Sequence, residues 1–143
     1  ALPGNVDEKF CPFMMPLLDK IHELVYPTDA KKIIDKEIIK AMPINYLRGA
    51  SFKDQIIIAD ESQNFTTKEL VTLITRIGEN TKLLICGDSM QADINGKSGF
   101  NVIKDLFNDP ASESQGIYNF DFDYKDIKRS EILKYIVKKL EEL

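Results

Sequence analysis

The chain of 143 residues carries 19 Lys and Arg against 23 Asp and Glu, a formal net charge of -4 and a sequence pI of about 5.1. With 43% hydrophobic and 29% charged residues it falls outside disordered, collagen-like and fibrous compositions, and its acidity argues against a strong nonspecific nucleic-acid surface. The length suits one domain with a packed core, the apolar runs are too short to cross a bilayer, and the first residues show no basic flank followed by an apolar segment, so neither a signal peptide nor a compartment other than the cytoplasm is expected.

Asp7 to Tyr26 carries Pro12 and Pro16 ahead of an apolar face of Leu17, Leu18, Ile21, Leu24 and Val25, which reads as a loop entering a helix. Pro27 is expected to stop it, with Thr28 or Asp29 capping a short helix through Ala30 to Asp35. Ile38, Ile39 and Ala41 predict a strand ended by Pro43. Gln55 to Glu61 is a continuous apolar run closed by two acids, which predicts a strand covered on both faces in a parallel sheet.

Thr66-Thr67-Lys68-Glu69 has the capping-box spacing, and Leu70, Leu73, Ile74 and Ile77 then recur at i, i+3, i+4, i+7 before Gly78. Lys82 to Cys86 predicts a second buried strand running into Gly87-Asp88. Ser98 can cap a helix of about two turns with Val102, Ile103, Leu106 and Phe107 inward. Ile117 to Phe122 alternates as a further strand. The last predicted element is an amphipathic helix with Ile132, Leu133, Ile136, Val137, Leu140 and Leu143 on one face. Strands alternating with helices predict a three-layer α/β domain spanning residues 1–143, without repeats or a linker.

Two cysteines, Cys11 and Cys86, stand far apart without a histidine cluster, which argues against a disulfide framework or a zinc site. Cys86 reads as a core residue and His22 as a surface one. Sixteen lysines but only three arginines, Arg48, Arg76 and Arg129, make each guanidinium informative, because a planar bidentate donor suits phosphate or carboxylate.

Both apolar strands end in acids, Ile58-Ala59-Asp60-Glu61 and Ile85-Cys86-Gly87-Asp88, and strand C-termini mark the ligand crevice of an open parallel sheet. Four apolar residues followed by Asp-Glu is the form of a Walker B strand, in which the Asp holds hydrated Mg²⁺ and the Glu activates water. The plain alternative is a strand stopping at a solvated turn. Gly87-Asp88-Ser89-Met90-Gln91-Ala92-Asp93 follows the second strand, and a neutral amide such as Gln91 can contact a γ-phosphate or the attacking water without adding repulsive charge.

Together these pieces resemble the PhoH-like branch of P-loop ATPases, related in motif layout to superfamily 1 helicases. The resemblance runs through Leu2-Pro3-Gly4, Tyr46-Leu47-Arg48-Gly49, Ile57 to Asn64, Leu73 to Gly78, Gly87 to Asp93, Ser98-Gly99-Phe100 and Asp126-Ile127-Lys128-Arg129-Ser130. It implies a RecA-like, mostly parallel sheet and hydrolysis of ATP with Mg²⁺ on Asp60. It further implies Glu61 as catalytic base, Gln63 and Gln91 as γ-phosphate sensors, and Arg129 as a transition-state arginine, with Asp88, Arg48 and Arg76 also near the nucleotide. Arg48 and Arg76 could equally hold a carboxylate within the domain. Ser130 stands where the family usually has His. Homo-oligomers, including rings, RNA or DNA as partners, and a phage-borne origin in a host cytoplasm are all compatible with the family.

One motif is absent. Walker A needs G-x-x-x-x-G-K-[ST] after a strand, whereas Gly96-Lys97-Ser98 follows the second acidic strand and has Gln91 where the first Gly would stand. It reads as a loop feeding the helix from Gly99. The expectation is therefore the C-terminal portion of a PhoH-like domain, inactive alone, with a sheet edge left unpaired or two distant strands pairing directly, and with self-association, rearrangement or dependence on the missing segment as the result. The rival expectation is a non-hydrolytic fragment acting as an assembly or nucleic-acid-binding module.

Overall fold

The computed structural model describes residues 6–47, 49–94, 96–128 and 130–140, and the side chains from residue 15 onward except that of Tyr124. It is an α/β structure with six α-helices and a small parallel sheet among the described residues. The chain forms two compact units, Ala1–Asp60 with Lys68–Cys86, and Glu61–Thr67 with Gly87–Leu143.

In the first unit, α1 (Val6–Leu24) runs through both Pro12 and Pro16 rather than beginning after them. Each proline lacks an N–H, so the carbonyls of Glu8 and Pro12 lose their helical donors, while the remaining rungs carry the helix. The next proline also reads differently from the sequence expectation. Pro27 does not end an element but occupies the first position of α2 (Pro27–Asp35), where a missing N–H removes no hydrogen bond. Tyr26, not Thr28 or Asp29, is the N-cap, without a side-chain cap.

Helix α2 stops by a left-handed turn at Glu37 (φ 48°), with Glu37 N–H donating to Ile34 O at 3.0 Å and Ile38 N–H to Ile33 O at 3.0 Å. That turn takes Ile38 out of any extended pairing, so the strand expected at residues 38–41 does not form.

The sheet consists of β1 (Ile56–Ala59) and β2 (Lys82–Ile85), parallel and in register from Ile56 opposite Lys82 to Ala59 opposite Ile85. The parallel expectation holds, but not burial on both faces. The two-residue period turns Ala59 into the core and Ile57 partly inward, while Ile56 and Ile58 are 67% and 66% exposed and Leu84 is also exposed. Cys86 is exposed as well, contrary to its reading as a core residue. Its N–H extends the ladder by donating to Ala59 O at 2.8 Å.

The predicted helix between the strands is α3 (Thr67–Ile74), with Leu70 and Leu73 buried. It ends before Ile77, which instead forms an isolated parallel bridge with Phe52.

In the second unit, α4 (Phe100–Leu106) follows Gly99 as its N-cap, and Ser98 Oγ accepts a hydrogen bond from Phe100 N–H at 3.3 Å. Ile103 is its buried anchor and Phe107 is partly covered, whereas Val102 and Leu106 are exposed. The sequence reading missed α5 (Pro110–Ser114), where Asp109 caps a helix with Pro110 at its start.

Residues 117–122 form no strand: Tyr118, Phe120 and Phe122 are exposed, and among the described residues the segment joins no sheet, Ile117 N–H donating instead to Ser112 O at 3.1 Å in a local turn. Alternation supplies two faces, but a strand also needs a partner for its N–H and C=O groups. Helix α6 (Glu131–Leu140) carries the predicted apolar stripe, yet Ile132, Ile136 and Leu140 are exposed. Leu143 lies outside the described residues.

Candidate functional site

The Walker B-like strand turns sharply as it ends. Asp60 follows β1 and is exposed. Glu61 then takes the left-handed conformation (φ 52°, ψ 34°), which costs a residue with a Cβ roughly 1–2 kcal/mol and is more usual for Gly or Asn. This reversal opens a 3-10 turn over Ser62–Asn64, closed by Asn64 N–H donating to Glu61 O at 3.0 Å and Phe65 N–H to Ser62 O at 3.0 Å.

Ser62 and Gln63 are buried by that turn. Gln63 spends its side-chain amide in two directions: Nε2 donates to Glu61 Oε2 at 2.6 Å, and Oε1 accepts the backbone N–H of Asp88 at 3.0 Å. The approach to Asp88 is possible because residue 87 is glycine. A Cβ there would lie 2.9 Å from Gln63 Oε1, 3.0 Å from Gln63 N and 3.1 Å from Phe100 Cε2.

Asp88 is in turn the N-cap of a second 3-10 turn, Ser89–Gln91. Its Oδ1 accepts from Met90 N–H at 2.9 Å, and its Oδ2 from Gln91 Nε2 at 2.7 Å. Four of the predicted site residues thus form one hydrogen-bonded series, Glu61 to Gln63 to Asp88 to Gln91. Glu61 and Gln91 are exposed at its ends, while Gln63 is 1% exposed in its middle.

The same two segments are joined further along. Asn64 Oδ1 accepts from Asp93 N–H at 2.8 Å, Phe65 O accepts from Gly99 N–H at 2.8 Å, and Thr66 bridges Ser98. Gly96 adopts φ 74°, and Gly96-Lys97-Ser98 forms the loop before α4, as expected. Sequence reasoning placed Asn64 and Gly87 within motifs but gave neither a role of its own. The signal was present: an Asx side chain after a strand end and a glycine before an acid both favour tight side-chain-to-backbone turns.

Of the arginines, only Arg76 lies within the described residues. Its carbonyl accepts from Phe52 N–H at 2.9 Å, and its Nε is buried without a hydrogen-bond partner among those residues. Arg48 and Arg129 lie outside them. Among the described residues no three His, Cys, Asp or Glu side chains gather as a metal cluster, and no helix is long and apolar enough to cross a membrane.

Residues 1–141 match the family described as PhoH-like protein. The chain belongs to the PhoH-like family. It is 31% identical over 138 residues to the PhoH-like protein of Bacillus subtilis, covering 95% of this chain and 42% of that protein. It is 33% identical over 95 residues to Protein PhoH of Escherichia coli, covering 65% and 27% respectively. Against Protein PhoH2 of Bacillus subtilis the identity is 40% over 99 residues, 64% of this chain and 22% of that protein. The chain therefore spans less than half the length of these relatives. PhoH-like proteins have the P-loop NTPase fold, with kinship to helicases, and the small parallel sheet is consistent with part of such a domain.

Proposed function

We propose that this chain supplies the water-activating part of an ATPase that cleaves ATP to ADP and phosphate, with the glycine-rich phosphate loop contributed from outside these 143 residues. The supporting observation is the series Glu61, Gln63, Asp88, Gln91, which joins the ends of the Walker B-like and Gly-Asp motifs through side-chain hydrogen bonds. A strand stopping at an ordinary solvated turn has no need of a buried glutamine between two acids.

In this reading Glu61 is the general base, its carboxylate oriented by the Gln63 amide at 2.6 Å for removal of a proton from the attacking water. Gln91 contacts the γ-phosphate or that water from an exposed turn capped by Asp88. Asp60 suits Mg²⁺, which in nucleotide sites takes one or two carboxylates besides phosphate oxygens and water, so an exposed acid at a strand end fits. The bound ion would neutralise charge on the phosphates. Arg129 is assigned to transition-state charge, and Arg76 and Arg48 to nucleotide or carboxylate binding.

A second reading, an assembly module, is favoured by one observation. Ile132, Tyr135, Ile136 and Leu140 of α6 form an exposed apolar stripe of the kind that associating helices use. Homo-oligomerisation, in a ring, is compatible with both readings, and RNA or DNA is the polymer class to test.

The deciding experiment measures Mg-ATP turnover by the 143-residue chain and by a form extended with its phosphate-loop segment, each with and without Glu61→Gln. Turnover only in the extended form, reduced about 100-fold or more by Glu61→Gln, is the expected result. Turnover indifferent to Glu61→Gln, or absent from both forms, overturns the catalytic assignment and leaves the assembly reading.

A further inference from the structure

We infer that Gln63 is a positioning residue: its buried amide ties the Glu61 carboxylate to the backbone of Asp88, so that the general base and the Gly-Asp loop are set by one side chain. This rests on the ATPase reading above and deepens it, because it gives Gln63 a role exercised through Glu61 rather than through contact with the γ-phosphate.

The chemistry of the two partners fixes the orientation of the amide. A carboxylate accepts only, and a backbone N–H donates only, so Nε2 must face Glu61 and Oε1 must face Asp88. The flipped amide would oppose oxygen to oxygen at 2.6 Å and N–H to N–H at 3.0 Å. Both ends of Gln63 are thereby engaged within the chain while the side chain is buried. Only an amide of this length donates at one end and accepts at the other. A carboxylate at 63 keeps the acceptor for Asp88 but repels Glu61, and a leucine keeps neither bond.

Two backbone features make the tie consequential. Glu61 sits in a left-handed conformation, so its side-chain direction depends on what holds the turn. Gly87 admits Gln63 at a distance that any Cβ would obstruct, so the contact is built into the Gly-Asp motif itself. Asp88, held from its backbone side by Gln63, caps the turn that carries Gln91. The base and the exposed sensor are therefore indexed to the same buried amide.

The test uses the ATPase extended with its phosphate loop, carrying Gln63→Leu, Gln63→Glu and Glu61→Gln singly and Gln63→Leu combined with Glu61→Gln, with kcat and KM for Mg-ATP measured for each. Loss of a charge-assisted hydrogen bond predicts a kcat lower by about 10- to 100-fold for both Gln63 variants, with KM within about twofold. A KM near that of the parent is also an internal control for folding. In the Glu61→Gln background, Gln63→Leu lowers kcat no further.

A raised KM with unchanged kcat would mean direct nucleotide contact and overturns the inference, as do Gln63 variants with full kcat beside an inactive Glu61→Gln. Additive losses in the double variant reduce Gln63 to a folding role and equally overturn it. Full turnover by Glu61→Gln instead removes the ATPase reading, and the inference with it.

Discussion

The strand pair and the segment that follows it are built on different principles. Strands β1 and β2 are held by main-chain hydrogen bonds in a four-residue parallel register, and several of their side chains, Ile56 and Ile58 among them, are exposed. Residues 61–67 are instead fastened to residues 87–99 by particular side chains and close approaches: Gln63 on Asp88, Asn64 on Asp93, and Gly99 against Thr66 and Thr67. A ladder tolerates many apolar residues of suitable shape. A fastening made by one amide or one missing Cβ tolerates few, and the chemistry-bearing residues have been placed on the second kind of framework.

Substitutions can break or sharpen that contrast. The largest effect is expected at the core of the first unit, where Leu70 is fully buried: Leu70→Ala should lower unfolding free energy by about 3 kcal/mol in urea titration. Next comes Gly99→Ala, whose new Cβ would lie 2.3 Å from Thr67 N and 2.4 Å from Thr67 Cα. Backbone atoms yield less readily than side-chain tips, so a loss of about 2 kcal/mol is expected, and a loss under about 0.5 kcal/mol would show that the second framework is as forgiving as the first.

Asp109→Ala should have a smaller effect, a fall of a few degrees in melting temperature. Hydrogen bonds from Ser112, through its backbone and hydroxyl, and from Ala111 N–H hold the Asp109 carboxyl below its ordinary range. Because the folded-state pKa is lowered, this stabilisation is present above the ordinary Asp range and is lost as the pH falls through the folded value. The difference in melting temperature between Asp109→Ala and the parent should therefore shrink on acidification, and a constant difference across that range would refute the cap's charge dependence. The smallest effect is expected for Ile58→Thr, which replaces an exposed residue on β1 by another β-branched one. Its unfolding free energy should stay within about 0.5 kcal/mol of the parent.

Local pattern made part of this legible in advance. The apolar runs before Asp60 and Asp88 identified both parallel strands, and the Thr66 to Glu69 spacing with Leu70 and Leu73 identified α3. Expectations failed where a residue type carries more than one meaning. Proline marks the loop end of a helix in many chains, yet here Pro12 and Pro16 sit within α1 and Pro27 begins α2. Alternation at residues 117–122 described a strand without revealing that the segment joins no sheet among the described residues.

At the site, spacing brought Glu61, Gln63, Asp88 and Gln91 to attention, but sequence could not disclose which polar atoms face one another. Gln63 and Asp88 are distant in the chain, and their contact depends on the folded loop and the absent Cβ of Gly87.

The bond from Asp88 N–H to Gln63 Oε1 also gives the protein a reporter of its own. Most protected amides exchange their hydrogen with solvent according to the opening of a helix or sheet rung, but this one is sheltered by a side chain. Its deuterium uptake should follow the Gln63 contact while the amides of β1 and β2 follow the ladder. Comparing the two uptake rates would separate local release of the Gly-Asp loop from opening of the sheet in a single labelling experiment.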